Sequence, residues 1–210
     1  MATNVRVLLV APDQPEITSV PEIREISSKE NLQTTILNGP VTCQDVFRYC
    51  KDRYDIIHFV THGDENGLIL SDGLFEAPDI AQAARVARAS IVFMNACDSS
   101  ELAGYIVSHG VLWSIQGNSQ IPDDKSWKIV LAFYSALAGV RPAQVVTAMK
   151  VAFDGTGAYG HTVSLEFLTD VIATSRWSEV QLASWQIVVI AIVATMTTIF
   201  ALLMLARGLW

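Results

Sequence analysis

What the chain lacks narrows the field first. It holds only 3 cysteines in 210 residues, Cys43, Cys50 and Cys97. That is too few for a disulfide framework, and their spacing fits no zinc-ligand set. An odd count, with an N-terminus that enters a strand almost at once instead of a secretory leader, predicts a reducing, cytoplasmic setting. Cations are scarce and scattered: 14 Lys and Arg stand against 21 Asp and Glu, a net charge of −7. With no basic stripe, binding to nucleic acid through its phosphates is not expected. There is no internal repeat and no low-complexity tract.

What is present centres on two short apolar runs. Asp55-Ile56-Ile57-His58-Phe59-Val60-Thr61-His62-Gly63 ends in a histidine and a glycine. Ser90-Ile91-Val92-Phe93-Met94-Asn95-Ala96-Cys97-Asp98 ends in a cysteine. Both have the length and β-branched content of strands buried on both faces. Side by side in a parallel sheet, they bring His62 and Cys97 out together at its carboxyl edge, where open α/β sheets place their sites. A thiol beside an imidazole is the minimum apparatus of a cysteine nucleophile, because the base can generate the reactive thiolate.

The flanking sequence supplies such a sheet. Residues 5–11 read as a first strand, stopped by Pro12 and Pro15. A helix follows from Ser19, with Pro21 in its first turn, Glu22 at the positive end of its dipole, and Ile23 and Ile26 toward the sheet. Residues 34–37 form a second strand, and Thr42 caps a helix that leads into the His62 strand. Asp64 to Gly67 is a polar turn opening a small hairpin, and residues 78–88 form a helix with Ile80, Ala84 and Ala87 inward. After the Cys97 strand, Ser99 is placed to cap a helix ending at Gly110. Residues 111–115 are a strand, and a long helix runs from Pro122 to Leu137. A further helix covers residues 141–153. Residues 155–161 read as a glycine-rich loop and 163–167 as a last edge strand. Alternating strands and helices predict a mostly parallel sheet flanked by helices.

The C-terminal segment is different in kind and carries much of the excess behind the mean hydropathy of +0.35. Residues 187–205 are 19 positions without charge or proline. As a helix they reach about 28 Å, close to the ~30 Å hydrocarbon core of a bilayer. Trp185 and Trp210 sit at the two ends as interfacial anchors. The expected organisation is a catalytic domain over 1–175, a juxtamembrane linker over 176–186 and a single-pass C-terminal anchor over 187–206. Arg176 and Arg207 lie on opposite sides, so charge does not set the orientation. The cytoplasmic placement of the catalytic domain rests on the cysteines and the missing leader.

The two motifs, with Val5-Arg6-Val7-Leu8-Leu9-Val10 before them and Ile121-Pro122-Asp123-Asp124 and Ala132-Phe133-Tyr134-Ser135-Ala136-Leu137 after them, resemble the CHAT family of caspase-like cysteine peptidases. The similarity covers roughly residues 5–153. Ser119 stands where the family often has a tryptophan, and Val163-Ser164-Leu165-Glu166-Phe167 replaces its more apolar closing strand. The resemblance implies a caspase-like fold and a Cys-His dyad without metal or cofactor. Cys97 would attack a peptide carbonyl, and His62 would activate the thiol or protonate the leaving amine. The backbone N–H groups of Gly63 and Cys97 would bind the oxyanion. It also implies protein substrates, a regulatory partner or self-assembly, and a role in bacterial defence or cell death.

Other residues carry weaker expectations. His58, on the same strand face as His62, reads as a core or supporting histidine. Cys43 and Cys50, on one helix, read as small buried side chains. Asp64, Asp98, Asp123 and Asp124 are candidates to line the pocket for the residue before the cut and favour a basic side chain; capping helices or facing water is an equal reading of them. Two other functions stand beside peptidase: a catalytically silent, membrane-anchored interaction module, and an effector that disrupts the membrane through residues 187–205.

Overall fold

The computed structural model describes residues 5–14, 17, 19–30, 32–117, 123–137 and 159–164. The first strand, β1 (Val5–Pro12), is buried at every position after Arg6. A strand with no polar face needs cover on both sides, and the helices that follow supply it. In chain order come α1 (Val20–Ser27), β2 (Leu32–Gly39), α2 (Cys43–Cys50) and β3 (Ile56–Val60). Next are β4 (Gly67–Leu70), β5 (Gly73–Glu76), α3 (Ala77–Ala87), β6 (Ile91–Asn95) and α4 (Ser100–Ser108). Then come β7 (Trp113–Gly117), α5 (Asp123–Leu137) and β8 (Tyr159–Val163).

The main sheet runs β2-β1-β3-β6-β7-β8, and β4 and β5 form a separate antiparallel hairpin. Its first five strands are parallel, and β8 closes the edge antiparallel to β7. One face packs Leu8, Val10, Ile57, Phe59, Val92 and Met94 under α2, α3 and α4. The other packs Val7, Leu9, Val60, Phe93, Trp113 and Ile115 under α1 and α5. The mostly parallel α/β sheet read from the sequence is the observed fold.

Local chemistry agrees at Thr42, whose hydroxyl accepts the Asp45 N–H while the Asp45 carboxylate takes the Thr42 N–H in return. These bonds hold the Asp45 carboxyl below its ordinary value of 3.8. Three details depart from expectation. Ser19 and Ser99 occupy N-cap positions, but neither hydroxyl bonds the helix it precedes. The closing strand is Tyr159–Val163, which takes in the end of the stretch expected to be a glycine-rich loop and meets the expected edge strand only at Val163. Glycine counts concealed its strand residues: Tyr159 is buried on the α5 face, and Gly160 pairs with Gln116 in the ladder. The helix expected over 141–153, Ser119, residues 165–167, the linker and the apolar segment 187–205 lie outside the described residues. Among those described, no helix is long and apolar enough to cross a membrane.

Candidate active site

β3 and β6 are adjacent and parallel, with Val60 opposite Asn95. His62 and Cys97 each lie two residues past that pair, so strand register delivers them to the carboxyl edge in step. Both line one cavity of about 110 Å³. Val60, Thr61, Asn95 and Ala96 from the strand ends line it with them, and Ile17, Glu22, Ser126 and Trp127 close it from the α1 and α5 side.

The backbone at His62 is stapled from two directions. Its N–H donates to Oε1 of Gln14 at 2.9 Å, and the Gln14 Nε2 donates to the Ile69 carbonyl at 2.7 Å. The Ile69 N–H in turn donates to the His62 carbonyl at 2.9 Å, and the Thr61 hydroxyl donates to the Ile69 carbonyl. Gln14 thus serves as a short piece of ladder between the histidine and the hairpin. At Gly63, a Cβ would lie 3.1 Å from the Ala96 Cβ and 3.1 Å from the Leu68 Cδ2. Its lack of a side chain therefore serves packing of the hairpin against the β6 end, a reason the sequence did not show. The bonds flanking the Gly63–Leu68 bridge, Asp64 N–H to Gly67 O and Ile69 N–H to His62 O, turn the N–H of Gly63 away from β4.

Cys97 sits half-buried on a tight strand-to-helix turn. Asp98 follows at φ 49°, left-handed backbone that aspartate tolerates better than most residues. Ser99, fully buried, locks the turn. Its hydroxyl donates to the Ala96 carbonyl at 3.1 Å and accepts the Gly117 N–H at 3.1 Å. Its own N–H reaches the Gly117 carbonyl at 3.0 Å. That is why this serine caps no helix.

Of the four acidic pocket candidates, Asp64 and Asp98 are not among the described residues lining the cavity. Asp64 is exposed and accepts the N–H groups of Asn66 and Gly67, tying its own turn. Asp98 is exposed beside Cys97. Asp123 and Asp124 open α5, and their side chains lie outside the description. The carboxylate that does line the cavity is Glu22, only 2% exposed. It accepts from Asn95 Nδ2 at 3.1 and 3.3 Å. His58 Nε2 lies 3.2 Å from it, but without the alignment of a hydrogen bond. The sequence carried a signal for this: Glu22 and Ile26 are four apart, hence on one helix stripe, and Ile26 is core. The helix-dipole explanation of a first-turn acid masked it.

Behind Glu22 lies a buried polar cluster. His58 stacks on Phe93 at 4.5 Å and meets the Tyr134 hydroxyl through Nδ1 at 3.1 Å, the supporting place expected for it. The Tyr159 hydroxyl donates to Oδ1 of Asn95. Burial first, and the Glu22 charge second, push both phenols well above their ordinary value, so they stay protonated. The other two thiols are unlike Cys97 in surroundings. Burial and the neighbouring Asp72 push Cys43 up to about 11, and burial pushes Cys50 up to about 12.

The CHAT domain profile matches residues 3–154. The chain belongs to the CHAT domain family. Both strand-end motifs, the hairpin and α5 fall inside that match. Among solved structures, this CHAT domain is similar to the Arg-specific cysteine proteinase gingipain R, with a TM-score of 0.54 and 13% sequence identity. The likeness covers 72% of this chain and 43% of the other, so the CHAT chain spans less than half of that proteinase. At such identity the likeness is one of fold, a caspase-like sheet with its helices. A comparison with curated proteins finds no match.

Proposed function

We propose that this CHAT domain is a cysteine endopeptidase with Cys97 as nucleophile and His62 as its base. The observation that carries the reading is the shared cavity: an imidazole and a thiol, each two residues past the Val60–Asn95 pair of adjacent parallel strands, both line it. Family membership and the proteinase-like fold support it. His62 takes the thiol proton, and the sulfur bonds to the peptide carbonyl carbon, forming a tetrahedral oxyanion. The N–H groups of Gly63 and Cys97, which no hydrogen bond among the described residues uses, are the candidate donors to that oxygen. Such donors contribute about 2.7–4 kcal/mol each in other hydrolases. Collapse breaks the C–N bond, His62 protonates the departing amine, and water then hydrolyses the thioester.

In the same reading, residues 187–205 hold the domain at the cytoplasmic face of a membrane. Protein substrates, control by a partner or by assembly, and a place in a defence or cell-death circuit belong to this proposal through the family resemblance. The test is labelling of the full chain with a peptidyl thiol-reactive warhead, alongside Cys97→Ala and His62→Ala. Cys97 should label far faster than Cys43 or Cys50, and each variant should lose roughly 10³-fold or more of peptide cleavage. Equal labelling of the three thiols, with activity intact in both variants, would refute the peptidase. Deletion of residues 184–210 separates the membrane-acting alternative: there cellular toxicity disappears, while Cys97→Ala keeps it.

A further inference from the structure

Among its described lining residues, the cavity of His62 and Cys97 has a single acidic side chain and no lysine or arginine. That acid, Glu22, is 2% exposed. Burying a carboxylate is expensive unless donors surround it. Its described donors are few. The Asn95 amide reaches both oxygens at 3.1 and 3.3 Å, and His58 approaches off-line at 3.2 Å. A carboxylate has room for about four hydrogen bonds, so Glu22, which lines the cavity, keeps accepting capacity. Ile17 and Val60 add hydrocarbon to the same lining, and Trp127, 37% exposed, adds an aromatic ring. The lining thus combines an aromatic ring, hydrocarbon and a buried carboxylate. A long alkyl stem ending in a cation matches that combination.

We propose that Glu22, held by Asn95 in the lining of the cavity containing Cys97 and His62, selects peptides with arginine or lysine immediately before the scissile bond. The proposal rests on the peptidase reading and replaces Asp64, Asp98, Asp123 and Asp124 as the source of a basic preference. Asn95 does two jobs through one side chain: its amide nitrogen grips Glu22, and its oxygen takes the Tyr159 hydroxyl. With His58 and Tyr134 behind, the carboxylate is held in place before substrate arrives, which is what discrimination by an ion pair requires. A neutral side chain in the cavity would displace water from Glu22 and return nothing to its lone pairs.

The test uses the full chain and three peptide substrates differing only at that residue: arginine, its uncharged isostere citrulline, and leucine. Arginine should exceed citrulline and leucine in kcat/KM by about 10²-fold or more, and Glu22→Gln should collapse the arginine-to-citrulline ratio toward one. In case Glu22→Gln does not fold, the wild-type chain gives a second readout. Agmatine, a small guanidinium, should slow alkylation of Cys97, whereas the neutral butylurea should not. Cleavage after citrulline or leucine as fast as after arginine overturns the proposal. So does a folded Glu22→Gln that retains the ratio, or equal protection by the two small molecules. Failure of the peptidase reading is distinguishable: none of the peptides is cut although Cys97 alkylates and agmatine protects it, and this overturns the proposal together with the reading beneath it.

Discussion

The two faces of the sheet solve the same packing problem with different chemistry. Under α2, α3 and α4, the central strands β1, β3 and β6 bury apolar side chains such as Leu8, Val10, Phe59, Val92 and Met94. Under α1 and α5, the same strands enclose a carboxylate, an imidazole and an amide, with two phenols from Tyr134 and Tyr159. A buried polar group contributes little net stability and is costly when its partner is lost. The polar groups lie on the face whose helix α1 and helix α5 wall the cavity. The lesson is a division of labour: one face secures the fold, and the other spends some of that security on holding Glu22 at the site.

The largest expected break of this division is Phe59→Ala on the apolar face. Truncating a fully buried aromatic costs about 3–5 kcal/mol; urea unfolding should show that loss, with the preference for arginine unchanged in the folded fraction. Next comes Asn95→Ala on the polar face. It strips Glu22 of its amide donor and leaves the Tyr159 hydroxyl without its acceptor. A loss of about 1–3 kcal/mol is expected, but here the arginine-to-citrulline ratio should fall as well, which the same substrate set reads. Gly67→Ala tests the hairpin that ties the faces to His62. Its Cβ would lie 2.7 Å from the Phe75 carbonyl oxygen, a backbone atom with little freedom to move. About 1–3 kcal/mol of strain should follow, with peptide cleavage falling because Ile69 loosens its hold on His62.

The smallest effect is Thr42→Ala, at about 1 kcal/mol for a lost N-cap, with activity untouched. Its pH dependence is informative. The folded Asp45 carboxyl lies below 3.8, so the stability from this box is fully present above that value. It is lost as pH falls through the lower folded value, and the gap between wild type and variant should narrow in acid unfolding titrations.

How far the sequence could be read follows from which signals were unambiguous. β3 and β6 were legible because strands buried on both faces leave unbroken apolar runs. His62 and Cys97 stood out because each ends such a run. Glu22 was hidden because one local rule, an acid in a first turn, already accounted for it, while its burial depends on α5, a hundred residues away in sequence. Ser99 misled for a similar reason: its usual cap role lost to a contact with Gly117 that only the β6–β7 pairing creates. β8 was displaced because glycine content outweighed Tyr159, whose partner Asn95 no local pattern reveals.

The Gln14 staple has a consequence for how the molecule comes into being. It joins positions 48 apart in sequence, as the Ser99 hydroxyl joins the cysteine turn to a residue 18 further on. Both close the same loops as the strand pairs beside them, Val10 with Phe59 and Ile91 with Trp113, so they lock only once those strands have paired. A nascent or partly folded chain therefore carries its imidazole and thiol on separate, unlocked segments. On the peptidase reading proposed above, cleavage should return last during refolding, after the sheet's circular dichroism has recovered.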